Sequence, residues 1–266
     1  SFGKHTVGVT LLQTASAYDY RAMSMDAENL PIPAALWNNM GSVAALRTYS
    51  TSLTQSQMES YMARVNYSFA DRYMITASVR ADGASQLAEG HKWATFPSVA
   101  LGWRIDKESF MENVSWLDQL KLRVGYGITG NAAIDPYKTK GAIAGLYYPF
   151  GSLATQGYVG YDPMLMASSV RDLPMANKEL TWEKTTQYNA GIDFGFFGGR
   201  VSGVFDIYKS YTNGLLMKQS LPALIGYTTT YNNIGKSENF GFDITLNLIP
   251  VKTRDWEWSV NINAAY

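Results

Sequence analysis

The segment WEWSVNINAAY, from Trp256 to Tyr266, alternates almost strictly between apolar and polar side chains. Successive side chains of a β-strand point to opposite faces of the sheet, so the segment predicts a strand with one apolar and one polar face. The same alternation returns from Gln119 to Ile128 and from Asn239 to Leu248. Its repetition along a chain is typical of a transmembrane β-barrel, in which one face contacts lipid and the other lines a polar lumen.

The composition is compatible with a membrane barrel and excludes several other classes of protein. Aromatic residues make up 14% of the 266 residues and charged residues 17%, whereas soluble domains carry about 25% charged residues. The net charge of +0 offers no basic surface for nucleic acid, so no nucleic-acid partner is predicted. Cysteine is absent from the sequence, which excludes a disulfide framework and a thiolate metal site.

About nine strands are predicted, joined by connections that alternate between long and short. In outer-membrane barrels the short turns face the periplasm and the long loops face outside. We therefore expect four extracellular loops, at Tyr18–Gln57, Gly83–Lys92, Thr129–Leu180 and Tyr211–Gly235. Tight turns are expected at Ala70–Arg72 and Gly198–Gly199, and short helices at Pro33–Met40 and Glu108–Asn113.

Aromatic residues gather near the predicted periplasmic ends of successive strands. Amphipathic rings prefer the boundary between lipid and water, so this cluster predicts an interfacial girdle. The alternative interpretation is ordinary aromatic packing in a soluble β-sandwich. The residues are Phe69, Tyr73, Trp103, Trp116, Phe196, Phe197, Trp256 and Trp258.

The chain is expected to be part of something larger. An odd number of strands does not close a single-chain bacterial barrel. We therefore expect either a fragment of a larger barrel or a chain whose flanking strands are missing. The chain opens on strand-like residues without a signal peptide, which predicts processing or truncation of an exported protein. No apolar run approaches the roughly 18 residues of a spanning helix.

Several motifs, taken in order, resemble those of the SusC/RagA-type TonB-linked outer-membrane transporters. The resemblance covers nearly the whole chain, and the order and spacing of the motifs make it specific. The matching stretches are Arg64–Ser68, Asp71–Ser78, Phe96–Arg104, Leu120–Asn131, Leu180–Gln187 followed by Gly191, Asp193 and Phe194, and Asn233–Lys236 with Asn239 and Gly241.

This resemblance implies active uptake of a nutrient. Members of the family form a barrel of about 22 strands filled by an N-terminal plug, a size typical of plugged outer-membrane transporters. TonB pulls on a plug segment, and a SusD-like surface lipoprotein caps the extracellular loops as a lid. The cargo is typically an oligosaccharide, and some members import peptides. Residues 1–266 are then part of one barrel domain, with the plug absent from this chain.

The alternation predicts which charged residues face the lumen, since charges are costly on a lipid face. Two roles remain open for Arg80, Asp82 and Arg123: substrate contacts, or ion pairs of the wall or plug, which we favour because such pairs are common. The full inward set is Arg64, Asn66, Arg80, Asp82, Arg104, Lys121, Arg123, Asn189, Asp193, Asp206, Asp243 and Asn247.

Aromatic and amide side chains in the predicted long loops are candidates for contact with the substrate or the lid. Sugar recognition uses aromatic faces together with planar polar groups. Packing within the loops or contact with a protein partner is the alternative, because loop aromatics also anchor protein interfaces. The candidates are Trp37, Asn38, Asn39, Tyr147, Tyr148 and Tyr161.

The sequence gives little support for an enzyme, a cofactor or a metal site. The chain has two histidines, His5 and His91. A catalytic triad would need His91 beside a serine such as Ser85 and the carboxylate of Asp82, a geometry that sequence does not reveal. Histidine and cysteine offer no zinc spacing, and the loop carboxylates have no EF-hand spacing. No cofactor is predicted, and no catalytic residue.

Three classes of function are weighed. The first is an energy-coupled transporter in the outer membrane of a Gram-negative bacterium. The second is a passive porin or surface receptor, which would lack a plug upstream of the barrel. The third is a soluble lectin-like sandwich, which would place polar rows outside and an apolar core inside. The apolar rows of this chain fit lipid contact better than the third class.

Overall fold

The computed structural model describes residues 3–29, 38, 45–141, 144–150, 153–159, 174–225 and 227–266. For residues 27, 45–47, 144–150, 153–159 and 223 it describes the backbone only. These residues form β-strands joined by turns and short 3-10 segments. In this part of the chain, no helix has the length and apolar character needed to cross a membrane.

Nine long strands follow one another in a single antiparallel sheet, as the alternation predicts. Each pairs with the next long strand along the chain, so the sheet is a meander of hairpins. The strands are β1 (His5–Glu28), β2 (Ala45–Phe69), β3 (Tyr73–Ala84), β4 (Trp93–Arg104), β5 (Leu117–Asn131), β9 (Glu183–Phe196), β10 (Val201–Ser220), β11 (Thr229–Lys252) and β12 (Glu257–Ala265).

Three shorter strands lie within the long connection between β5 and β9. Strands β6 (Ala144–Phe150) and β7 (Leu153–Val159) form a separate two-stranded sheet. Strand β8 (Pro174–Met175) adds to the main sheet in parallel with the start of β11. The predicted loop Thr129–Leu180 therefore contains strand structure that its Gly- and Tyr-rich sequence did not indicate.

Within the apolar band, the two faces of the sheet differ in polarity. The outward face carries apolar side chains without cover, among them Val9, Leu11, Val65, Ile75 and Val99. Leu11 is 77% exposed, an environment that suits lipid and not water. The opposite face carries the predicted charged and amide residues. The assignment of the apolar and polar rows to opposite faces of the sheet is confirmed, and the lumen-facing position of the polar row stays a prediction.

Two predicted loops are largely strand. Strands β1 and β2 pair without interruption from His5 and Phe69 up to Asp26 and Thr48, so most of Tyr18–Gln57 is a hairpin. Strands β10 and β11 likewise extend through most of Tyr211–Gly235. The prediction failed because the outward row changes above Ala17, where Asp19 and Arg21 stand in place of aliphatic residues. The strands continue beyond the apolar band, where alternation no longer marks them.

The predicted short helices were less accurate than the strands. The segment Glu108–Asn113 contains a 3-10 turn at Ser109–Met111, after another at Ile105–Lys107, and no α-helix. Only Asn38 of Pro33–Met40 lies within the described residues, as an exposed 3-10 residue. The tight turns are confirmed: Ala70 and Asp71 have φ values of 52° and 53°, and Gly198 and Gly199 of 67° and 78°.

The predicted aromatic girdle lies at the end of the sheet with short turns, called here the short-turn end. The ring of Tyr73 stacks between those of Phe69 and Trp103, with centroids 6.5 Å from each. Further along, Trp116 lies 5.6 Å from Phe196. Trp256 remains 78% exposed. These rings form an exposed lateral row, as a membrane interface favours.

A small apolar core lies at the opposite end, called here the long-loop end. Ala84, Leu87, Phe96, Leu180 and Trp182 are buried. The rings of Phe96 and Trp182 meet edge to face with centroids 5.4 Å apart. A Cβ at Gly130 would overlap the ring of Phe96, so glycine there provides the space for this contact. The core fixes the loops between β3 and β4 and before β9 against the inward face.

Candidate functional site: the inward face and the long-loop end

The register of the sheet brings the predicted charged residues onto one continuous inward surface. Arg104 lies opposite Lys121, and Lys121 opposite Asp193. Asp206 lies opposite Gly191 on one side and Asp243 on the other. Arg64 and Arg80 share this face on β2 and β3. A closed barrel would turn a surface of this kind toward its lumen. That the nine charged residues of the predicted inward set line the lumen stays a prediction.

Arg123 is the centre of the best-connected group on this wall. Its Nε donates to Asp193 Oδ1 at 2.9 Å, and its Nη2 donates to Asp206 Oδ1 and Oδ2 at 2.9 and 3.1 Å. A Cβ at Gly191 would overlap the Asp206 carboxylate, so glycine there makes room for the cluster. One guanidinium thus holds two carboxylates from two further strands, and charge-assisted bonds of this kind fix side-chain geometry.

Arg80 forms a second group nearer the long-loop end. Its Nε donates to Asp82 Oδ1 at 2.6 Å and its Nη2 to Ser60 Oγ at 3.1 Å. Asp82 and Ser60 are buried, at 6% and 5% exposure, whereas the Arg80 side chain is 42% exposed. The carboxylate is therefore occupied by the wall, and only part of the guanidinium faces the lumen.

Arg104 closes the inward face at the short-turn end. Its Nε and Nη2 donate to Asp106 at 3.2 and 2.5 Å, and the Leu120 amide donates to the same carboxylate at 3.2 Å. Partial burial alone would raise the pKa of Asp106, but these hydrogen bonds outweigh it and bring that pKa below its usual range. The pair anchors the turn after β4 to the start of β5.

Arg64 and Asp243 differ from the other candidates because they remain accessible. Both are exposed, and neither forms an ion pair within the described part of the chain. Asp243 faces Asp206 directly across β10 and β11, an arrangement of like charges that is unfavourable without a cation between them. Together with the half-buried Lys121, these two side chains are the charges of the predicted inward set that have no ion pair among the described residues.

The predicted loop aromatics are not brought together by the described structure. Asn38 is exposed, and Tyr147 and Tyr148 lie on β6, where the backbone alone is described. Trp37, Asn39 and Tyr161 lie outside the described residues. Contact of these six residues with a substrate or a lid stays a prediction.

Asn233 is a structural residue whose role sequence reasoning missed. Its Nδ2 donates to Thr181 O at 2.9 Å and to Gly214 O at 2.8 Å, while its Oδ1 accepts from Thr181 N at 2.9 Å. Two of the motifs noted in the sequence, around Leu180 and around Asn233, therefore meet in space. Both N–H donors and the oxygen of the half-buried Asn233 amide are thus hydrogen-bonded. These bonds fix the segment before β9 to the β10–β11 hairpin.

Trp182 makes a similar clamp from the same motif. Its Nε1 donates to Lys92 O at 2.9 Å, a hydrogen bond across 90 positions of the chain. The Ala88 amide donates to Leu180 O at 3.1 Å. The sequence marks Trp182 as part of a motif before a strand, but it gives no indication of the hydrogen bond to Lys92 in the β3–β4 loop.

Of the residues considered for a catalytic triad, Asp82 and Ser85 each have another partner. Asp82 binds Arg80, and Ser85 Oγ accepts from the Gln57 amide at 2.8 Å. His91 is exposed, and His5 Nδ1 lies 2.9 Å from Tyr67 Oη. Within the described ranges, no three His, Asp or Glu side chains are grouped to hold a metal ion.

Comparison with known proteins places this arrangement in a family. The family model for the TonB dependent receptor-like β-barrel matches residues 1–266. The TonB-dependent receptor SusC of Bacteroides thetaiotaomicron is 37% identical over 229 residues, which are 84% of this chain and 22% of that protein. The TonB-dependent receptor P3 of Formosa agariphila is 30% identical over 99% of this chain and 25% of its own length.

Solved structures agree with the sequence relatives on the fold. The RagAB peptide transporter matches with a TM-score of 0.83 over 99% of this chain and 28% of that one, at 24% identity. The RagAB peptide importer in its 'open-open' state matches with a TM-score of 0.78 over 98% of this chain and 27% of that one, at 26% identity.

The chain spans about a quarter or less of the length of the curated relatives it matches. Over that span, the antiparallel strand order and the outward apolar face are those of an outer-membrane β-barrel. The motifs around Leu180 and Asn233 meet in space, as described above. The chain belongs to the TonB-dependent receptor-like β-barrel family of Gram-negative outer membranes, and within it to the SusC/RagA type.

Proposed function

We propose that the whole protein imports an oligosaccharide across the outer membrane, using energy delivered by TonB. The observation that carries this proposal is the polar inward wall, whose charges are satisfied by one another around Arg123 and Arg80. A wall of this kind lets a polar cargo pass without presenting strong unpaired charge along most of its height. Family membership supplies the coupling to TonB.

Hydrogen-bonding groups at the long-loop end support a sugar as the cargo. A cleft of about 250 Å³ there is lined mainly by amide and hydroxyl side chains, including Gln55, Gln86, Tyr137 and Thr139. Such groups match the donors and acceptors of a polyhydroxylated ligand. The cleft lies where a substrate would first meet the protein from outside.

Residues 1–266 would then act as one part of a single barrel domain. We propose that another part of the protein supplies the plug, and that the plug contacts the free charges of Arg64 and Asp243. A basic plug side chain between Asp206 and Asp243 would relieve their repulsion. TonB would act on the plug, and the barrel wall would remain fixed.

A SusD-like lipoprotein is the proposed lid. The tall hairpins β1–β2 and β10–β11 extend the wall beyond the apolar band and offer a rim on which such a partner would rest. Trp37, Asn38, Asn39, Tyr147, Tyr148 and Tyr161 are proposed to contact the lid or the substrate. Lipid of the outer membrane surrounds the outward face.

Uptake of labelled sugars by the source bacterium tests the proposal. Cells with the intact gene, with the gene deleted, and with TonB inactivated are given labelled oligosaccharides of defined length. We expect uptake to need both the gene and TonB, and a SusD-like lipoprotein to copurify with the protein. Uptake that continues without TonB would indicate a passive porin instead.

A peptide is the second candidate cargo. The RagAB structures that share this fold are those of a peptide transporter. The same uptake assay with labelled peptides distinguishes the two. Uptake of peptides that depends on this gene, with no uptake of sugars, would replace the oligosaccharide by a peptide and leave the transport mechanism unchanged.

A further inference from the structure

The cleft at the long-loop end is built where one strand outgrows its neighbour. The last pair between β2 and β3 is Met58 with Ala84, and the edge of β2 continues above it. Ser85 and Tyr137 cover this edge. The Gln57 amide donates to Ser85 Oγ at 2.8 Å, and the Gln55 amide donates to Tyr137 Oη at 3.0 Å. This region is called here the rim cleft.

The hydroxyls of Ser85 and Tyr137 in the rim cleft are left with a proton to donate. A hydroxyl that accepts a hydrogen bond from a backbone amide keeps its own O–H free. Over the described ranges, neither Ser85 Oγ nor Tyr137 Oη donates to another group. Ser85 is exposed and Tyr137 is 46% exposed, so a ligand has access to both.

Two lysines line the same cleft with no acidic residue among its lining side chains. Lys92 and Lys140 both lie on its surface and are exposed. Within the described part of the chain, neither forms an ion pair, whereas nearby Lys138 lies 3.8 Å from Asp135. Among the described residues, no carboxylate occupies their ammonium groups, which would suit them to bind an anion.

The backbone holds both lysines in place. Lys92 O accepts from Trp182 Nε1 at 2.9 Å and from the Ala84 amide at 3.1 Å. Lys140 ends a 3-10 turn, with its amide donating to Tyr137 O at 3.0 Å. The cleft thus presents two cations and two free hydroxyl donors from fixed points, which is a pattern suited to a negatively charged oxygen group.

We propose that the rim cleft binds an acidic group of the oligosaccharide, either a carboxylate or a sulfate ester, through Lys92, Lys140, Ser85 and Tyr137. The inference rests on the proposed function and narrows it to acidic sugars. The amide side chains around the lysines, such as Gln55 and Gln57, would bind neighbouring sugar hydroxyls. The polar inward face below would then pass on a sugar that has already been selected by binding in the rim cleft.

Calorimetric titration of the purified full-length transporter with its copurified partners tests this site. Three probes are used: tetragalacturonate, which carries carboxylates; a carrageenan tetrasaccharide, which carries sulfate esters; and neutral maltotetraose. We expect at least one acidic probe to bind more tightly than maltotetraose. That binding should weaken as salt is raised, because screening acts on exposed charges.

The double substitution Lys92→Gln and Lys140→Gln removes both charges and keeps the side-chain length. We expect it to weaken the binding of the acidic probe by about tenfold or more, because a charge-assisted contact is lost. Maltotetraose should be unaffected. The control Lys236→Gln changes the same charge on an exposed residue of β11 away from the cleft, and should leave all three probes unchanged.

Each failure has a distinct meaning. Equal binding of the acidic probes by the wild type and the double variant would overturn the rim cleft as an anion site. So would tighter binding of maltotetraose than of either acidic probe, while the proposed import of sugars would stand. Binding of no sugar at all, together with binding of peptides, would overturn the proposed cargo and this inference with it.

Discussion

Aromatic side chains gather at both ends of the sheet but in opposite environments. At the long-loop end Phe96 and Trp182 are buried, at 6% and 3% exposure. At the short-turn end Tyr73 and Trp258 are 43% and 60% exposed. The residue types are similar, and the difference is whether neighbouring segments fold back over them. Aromatic content alone therefore does not distinguish a core from a membrane girdle.

The two ends also differ in how the polar atoms of the rings are satisfied. Trp182 donates to a backbone carbonyl of a loop that it helps to fix. Trp103 and Tyr73 instead donate to the carboxylate of Glu108, at 3.0 and 2.7 Å. Arg72 donates to the same carboxylate at 3.3 Å. Glu108, in a turn, thus joins two rings of the girdle, whereas the core is held by ring packing and by the hydrogen bond from Trp182.

Removing the buried ring should have the largest effect. Trp182→Ala deletes a ring that packs against Phe96 and is expected to cost about 3–5 kcal/mol of unfolding free energy. Trp258→Ala, at the exposed end, serves as the matched control and should cost much less. Urea unfolding of the full-length protein in lipid vesicles measures both. Equal losses would show that the girdle and the core are energetically alike.

A charge placed on the outward face of β4 should cause the second-largest loss of unfolding free energy. Val99 and Ala100 are neighbours on β4, with Val99 on the outward face and Ala100 on the inward face. Val99→Arg puts a guanidinium in lipid and is expected to cost about 2–4 kcal/mol near the bilayer centre. Ala100→Arg faces the polar lumen and should cost little. The same unfolding assay measures both variants, and the reverse order would show that the faces are assigned wrongly.

Crowding the charged wall between the two ends should have an intermediate effect. A methyl group at Gly191 would overlap Asp206 and crowd the Arg123 guanidinium, so Gly191→Ala is expected to cost about 1–3 kcal/mol. Gly195→Ala on the same strand would meet Gln119 Cβ at 3.4 Å, a tolerable contact, and is the control. Similar unfolding free energies for the two variants would argue against a tightly packed Arg123 cluster.

Substitution of Glu108, the carboxylate that bonds Tyr73 and Trp103, should have the smallest effect on stability, and that effect should depend on pH. Hydrogen bonds from Tyr73 and then Trp103 lower the pKa of Glu108, so its stabilising contribution is present above the unfolded pKa. It is lost as the pH falls through the folded pKa. Between about pH 6 and about pH 3 the wild type should lose more stability than Glu108→Gln. Glu112→Gln, on the same turn but exposed, should follow the wild type.

Much of the fold can be predicted because the two-residue alternation of side chains is a property of each single strand. Alternation within a single strand assigned the two faces, and the inward positions of Arg123, Asp193 and Asp206 followed from it. The girdle followed from aromatic residues beside short turns. None of these predictions needs knowledge of which strands are neighbours, because the membrane imposes the same pattern on every strand.

The remainder depends on contacts between distant segments. The sequence predicts loops for the upper hairpins because their outward residues become polar where lipid ends, as at Asp19 and Arg21. The pairing of Asn233 with Thr181, and of Trp182 with Lys92, joins residues that no local period relates. The rim cleft was missed for the same reason, since Lys92 and Lys140 come from separate loops.

The uninterrupted pairing of β1 with β2 has a consequence for the timescale of motion. At about 3.3 Å per residue, a strand of this length greatly exceeds an apolar band of about 25 Å. Its upper half stands in water, yet its amides are bonded across the hairpin from Ser16 and Met58 up to Asp26 and Thr48. Hydrogen–deuterium exchange there should be slow without any help from lipid, so that the part of the hairpin above the membrane behaves as a rigid body.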